Sequence, residues 1–93
     1  MADKATVIYW RDIPAQVVSG QGRRATRAML SDRFQEAIDR AATRAGLIGS
    51  DEYMAEWRKV EVEGEVETVA AALEDELTDG ALDALVRNYG ASS

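Results

Sequence analysis

A change of period near residue 30 limits what this chain can become. Before it, residues 5–18, "ATVIYWRDIPAQVV", hold two β-branched and aromatic runs around a short charged break that contains the chain's only Pro. Such residues favour extended backbone because branched and ring side chains pack well on a pleated surface. Pro14 fixes φ and lacks an N–H, so it suits the turn or the first position of the second strand. The expected unit is an antiparallel hairpin. After the change, Leu30, Phe34, Ala37, Ile38, Ala41 and Ala45 recur at helical spacing, with Arg33, Glu36, Asp39, Arg40 and Thr43 elsewhere on the helix.

Ser31 is the expected N-cap of that helix, Asp32 suits its positive first turn, and Gly46 closes it. "GSDEYMAEW" predicts a short helical turn capped by Ser50. "RKVEVEG" alternates, Val60 and Val62 to one side and Glu61 and Glu63 to the other, as a half-buried strand ended by Gly64. "EVETVAAALEDEL" returns to helix on a stripe of Val66, Val69, Ala70, Leu73 and Leu77. "DGALDALVRNYG" is a last helix capped by Asp79 and closed by Gly90, with Leu82, Leu85, Val86 and Tyr89 inward. The order β-β-α-(α)-β-α-α predicts an α+β fold: a three-stranded sheet, made of the N-terminal hairpin plus one later strand, with helices packed on one face. It is expected as a single domain over residues 5–90 with a flexible tail over 91–93.

Composition removes whole classes of chemistry. There is no Cys, hence no disulfide and no thiolate, and no His, the commonest general base and transition-metal ligand. "DELTDGALDALV" fails as a calcium loop because Leu77 and Val86 stand where oxygen ligands are required. No spacing converges on a nucleophile and base, so neither catalysis nor a cofactor is expected. The start "MADKATVIYW" lacks a signal-peptide pattern and no apolar run is long enough to span a bilayer, which predicts a cytoplasmic protein without membrane contact. Charge is bipolar: residues 1–46 have eight basic and five acidic side chains, and residues 47–93 have three and twelve. The overall charge of −6 argues against nucleic acid as partner.

"GQGRRA", Gly20 to Ala25, has the G-x-G-x-x-A spacing of a pyrophosphate loop but lacks the βαβ context that the motif requires. Arg23, Arg24 and Arg27 nevertheless follow Gly20 and Gly22. An arginine cluster beside flexible backbone can hold a phosphate or carboxylate through paired, charge-assisted hydrogen bonds, and Arg11 joins it if the hairpin folds alongside. The plainer alternative is a solvated basic loop that pairs with the acidic second half of the chain. Trp10, Trp57 and the tyrosines are expected in the core, where so short a chain needs them.

At "TVIYWRDIPAQVV", the arginine-rich loop, "LSDRFQEAIDRAATRAG" and "DEYMAEWRK", roughly residues 5 to 58, the chain resembles a small bacterial domain family described as "virulence factor". The resemblance brings no catalytic motif. It implies members in alphaproteobacteria that occur with genes of corrinoid-dependent methyl transfer and methionine synthesis. The resulting expectation is an accessory or adaptor domain that docks on such a corrinoid or folate methyltransferase through the hairpin and the surface of Arg11, Arg23, Arg24 and Arg27. The alternative is a small-anion domain using the same arginines with Gly20 and Gly22. Oligomeric state is left open.

Overall fold

The computed structural model describes residues 4–19 and 26–91. Its elements are β1 (Lys4–Trp10), β2 (Ile13–Ser19), β3 (Thr26–Met29), α1 (Asp32–Arg44), α2 (Asp51–Ala55), β4 (Trp57–Glu63), α3 (Val66–Glu76) and α4 (Asp79–Arg87). The sheet runs β3-β2-β1-β4 with every neighbouring pair antiparallel. The α+β class stands, but the sheet has four strands rather than three. The strand missing from the sequence reading, "TRAM", is a short edge strand with no fully buried side chain, so it has no apolar alternation to announce it.

The first hairpin closes on the Trp10–Ile13 pair, leaving Arg11 and Asp12 as a two-residue turn. Ile8 pairs with Gln16 and Tyr9 with Pro14, so Ala15 is the extra residue of a β-bulge. Pro14 sits beside that interruption of the ladder, where a missing N–H is tolerated. The carbonyl of Ala15 turns to the other neighbour and accepts the Leu30 N–H at 3.2 Å. Ala5 and Val7 set the inward alternation of β1, and Trp10 departs from it, yet Trp10 and Ile13 are both fully buried.

Ala5, Val7, Val17 and Val66 form one buried cluster. Trp10, Ile13, Ala15, Phe34, Ile38, Leu82 and Val86 belong to a second, larger one. Ala70 and Leu73 of α3 pack against both, which makes α3 the bridge between them. Trp10 and Trp57 lie directly opposite each other on β1 and β4, and Tyr53 stands against both, its ring centroid 5.7 Å from Trp10 and 6.2 Å from Trp57. Trp10 is a core residue and Tyr9, Tyr53 and Trp57 pack against the core half-buried, but Tyr89, expected to face inward on α4, lies past the end of that helix and is exposed.

One expected cap moves, and another keeps its position without its capping bond. Ser31 occupies the N-cap position of α1, but its hydroxyl donates to Glu74 instead of capping the helix. The N-cap of α4 is Thr78, whose Oγ1 accepts the Ala81 N–H, so Asp79 is the first helical residue. Ser50 caps α2 as expected, and Gly46 follows α1 at φ +72°. Residues 92 and 93 of the expected tail lie outside the described residues.

Of the described glycines, Gly90 makes the tightest approach. It has φ +91°, and a Cβ built there would lie 2.9 Å from the Trp10 ring. Gly49 has a similar φ, +79°, with open space around it. Gly49→Ala is therefore expected to cost about 1 kcal/mol from backbone strain alone. Gly90→Ala should cost about 2 kcal/mol more, because the rigid indole has no room to yield. Chemical denaturation of the two variants checks the difference.

Candidate functional site

The Arg11–Asp12 turn is where the chain's distant parts meet. Arg11 has φ +53°, a left-handed conformation that disfavours a residue with a Cβ by roughly 1 kcal/mol. Its surroundings hold it there. The Arg11 N–H donates to the Glu56 carbonyl at 3.1 Å, and the Asp12 N–H to the Gly90 carbonyl at 2.8 Å. The Arg11 guanidinium donates through Nη1 to the Tyr89 carbonyl at 2.7 Å, lies 3.5 Å from the Glu56 carboxylate and covers the Trp10 ring at 5.1 Å. Arg58 answers from β4: its Nε donates to the Arg11 carbonyl at 2.9 Å, its Nη2 to Asp12 Oδ1 at 2.8 Å, and its plane lies over Tyr9 at 4.8 Å. Burial pushes the Tyr9 phenol up, Arg58 opposes that, and Asp12 and Glu76 add to it.

Arg11 thus ties the hairpin to the C-terminal end of α4 and to the entry of β4. It does not join Arg27. That residue is exposed on β3, registered with Val18, five positions along β2 from the turn and so roughly 16 Å away at a strand's rise per residue. Gly20, Gly22, Arg23 and Arg24 lie between β2 and β3 in sequence, outside the described residues. Among the described residues Arg27 makes no ion pair.

A second polar node joins α1 to α3 and α4. Arg33 donates to the backbone carbonyls of Leu77 and Glu74, pairs with the Glu74 carboxylate at 3.1 Å and with Asp79 at 3.3 Å, and stacks on Phe34 at 4.5 Å. Partial burial raises the Glu74 pKa. Hydrogen bonds from the Ser31 N–H, the Ser31 hydroxyl and Arg33 outweigh it and hold the carboxyl below its usual range. Arg40 pairs with Asp83 at 3.1 Å, and Arg44 donates to the Arg87 carbonyl while covering the Tyr89 ring.

One hollow lies on the Arg33 node, lined by Arg33, Arg40, Asp79 and Asp83, and two others matter for recognition. One, near the start of α3, is lined by Ser19, Thr26, Glu65, Val66 and Glu67. The other is a groove of about 510 Å³ lined by Leu77, Ala81, Ala84, Leu85, Asn88 and Ala91, with Asp12 of the turn at its margin. The sequence reading passed over this groove. Its one signal is that Ala81, Ala84 and Asn88 follow a helical period on a face other than that of the buried Leu82 and Val86. Arg58 and Arg33 have no local signal as node residues, since their partners lie 41 to 47 residues away.

Fold and turn define a small α+β domain whose charged side chains chiefly fasten its own halves together. The chain belongs to the Virulence factor family, whose model matches residues 8–86. Neither the curated proteins nor the solved structures gave a match. The family description names no reaction.

Two variants test the reading of the nodes. Arg11→Ala retains the strained φ and loses the guanidinium contacts, for an expected cost of about 2 kcal/mol. Arg11→Gly loses the same contacts but relieves the strain, and should be the milder variant by about 1 kcal/mol. Comparing their denaturation midpoints checks this order. Because the folded-state pKa of Glu74 lies below the ordinary 4.5, the stability linked to its ionisation is complete above that pH and is lost as pH falls through the lowered value. Glu74→Gln should therefore lower stability by about 1 kcal/mol at pH 7, with the gap to wild type closing below pH 4.5 in thermal melts.

Proposed function

We propose that this domain is a non-catalytic adaptor that docks on a protein partner, and that the partner segment lies in the groove between α4 and the hairpin turn. The groove carries this reading. Alanines on the floor let another backbone approach closely, and the leucines beside them supply apolar contact. Asp12 at the margin, with Glu76 close enough to act on the same Tyr9 phenol, gives that end an acidic edge. The segment that fits is a helix with an apolar face and a basic flank. The partner class is a corrinoid-dependent methyltransferase, which rests on the family resemblance at "YWRDIPAQV". The turn of that motif borders the groove, so docking there engages the hairpin.

The test is titration of the isotopically labelled full chain with a purified corrinoid methionine synthase. Amide shifts at Ala81, Ala84, Leu85 and Asn88 are expected, and Ala84→Glu should weaken binding at least about tenfold, as a buried unpaired charge at a contact centre does. Saturating enzyme without shifts at these four amides would remove the reading.

A second reading rests on Arg27, which is exposed and makes no ion pair among the described residues, on the strand whose Thr26 pairs with Ser19. With Arg23, Arg24, Gly20 and Gly22 it would form a site for a small phosphate or carboxylate. Glu65 and Glu67 line the hollow beside Ser19 and Thr26, and their charge opposes an anion there. Titration with inorganic phosphate and a folate-like carboxylate, read at Thr26 and Arg27, supports this site if those amides shift and removes it if they do not.

A further inference from the structure

We propose that β4 pairs with β4 of a second copy of this chain, joining two four-stranded sheets into one across a two-fold axis at Val60. This does not depend on the groove or on any partner. β4 is an edge strand: β1 holds one side, and among the described residues no strand pairs with the other. The direction of its amides follows from the ladder. The Arg11 N–H bonds the Glu56 carbonyl, which makes 11 and 56 a hydrogen-bonded pair. The register is unbroken from Trp10–Trp57 to Lys4–Glu63, so by antiparallel alternation Arg58, Val60 and Val62 also direct their backbone groups to β1. Trp57, Lys59, Glu61 and Glu63 direct theirs outward.

A two-fold axis at Val60 places Lys59 opposite Glu61 of the other copy, twice, and Trp57 opposite Glu63, twice. All four are the outward-bonding positions, so the junction forms about eight backbone hydrogen bonds. Val60 then meets its own copy, and Arg58 lies opposite Val62. The neighbouring registers that preserve the faces are worse: centring on Lys59 opposes two lysines, and centring on Glu61 opposes two glutamates. Charge on an edge strand ordinarily deters pairing. Here the Lys-x-Glu spacing makes the strand complementary to its own reversed copy in one register only. Glu61 already has Lys4 of its own chain at 3.4 Å, so pairing gives it a cation on either side.

Burial points the same way. Val60 and Val62 are only partly buried: α3 lies mainly over β1, β2 and β3, and Val62 reaches the Val66 cluster from the margin of the sheet. A second β4 with its own Val60 and Val62 would extend the apolar side of the sheet over this margin.

Sedimentation equilibrium of the full chain up to millimolar concentration tests the proposal. A reversible monomer–dimer equilibrium is expected, with the amide protons of Lys59 and Glu61 gaining protection from hydrogen exchange as dimer forms. Lys59→Glu and Glu61→Lys should each weaken association at least about tenfold, since each change places two like-charged pairs across the axis. An equimolar mixture of these two variants should associate as a heterodimer, because every opposed pair is again of opposite sign. The double variant carrying both changes should dimerise like the wild type. The side chains are exposed, and equal melting temperatures would show that the fold is unaffected. A chain monomeric throughout, single variants that dimerise undiminished, or a mixture that does not associate would each overturn the proposal.

Discussion

Trp10 must be buried without leaving its indole N–H unpaired, and the rest of the fold is arranged around that requirement. The N–H donates to the Tyr53 carbonyl at 2.9 Å, which fixes α2 against the end of the first hairpin. Its ring takes Tyr53 on one flank, Gly90 against its edge and the Arg11 guanidinium over it. The two non-glycine residues with positive φ among the described residues, Arg11 and Tyr89, are joined directly by the bond from the guanidinium to the Tyr89 carbonyl. Strain in the turn and strain past the end of α4 are therefore held by one contact. The first hairpin's turn is held from Tyr89 and Gly90, so two distant segments are tied to each other.

Charge reinforces that closure. Every ion pair among the described residues joins the first half to the second: Lys4 with Glu61, Arg11 with Glu56, Arg33 with Glu74 and Asp79, and Arg40 with Asp83 match a first-half cation to a second-half anion, and Arg58 with Asp12 runs the other way. Individually such pairs contribute at most about 1 kcal/mol when exposed. Together they choose a partner face for each helix. Apolar matching alone would let α4 slide along α1, whereas Arg33–Asp79 and Arg40–Asp83, both at helical spacing, set one register.

Much of this was legible in the sequence because it is local. The Trp10–Ile13 hairpin, the α1 stripe from Phe34 to Ala41 and the Val60–Val62 alternation each declare themselves within a few residues. β3 escaped because exposed residues on a short edge have no period to read. Ser31 is the N-cap of α1 as its sequence position predicts, but its hydroxyl is taken by a distant carboxylate, Glu74, which no local pattern announces. Of the six site residues expected from sequence, the described ones separate: Arg11 goes to the turn and Arg27 to the far end of β2. A cluster of like residue types in sequence says nothing about convergence when a strand lies between its members.

That separation bears on what the surface can recognise. An arginine is an effective anion ligand when its guanidinium faces solvent with its planar donors unoccupied. Arg11 donates to Tyr89 and lies beside Glu56, Arg33 is shared among two carbonyls and two carboxylates, and Arg58 is held by Arg11 and Asp12. Their positive charge is neutralised within the fold, and freeing any of them for a ligand would release the contact between halves that it maintains. Recognition by the described surface therefore falls to features that the fold does not consume, among them the apolar face of α4, the outward backbone of β4 and the exposed Arg27 of β3. The first two favour contact with another polypeptide over capture of a small ion, since an alanine-floored groove and a strand edge both gain from close approach of a backbone.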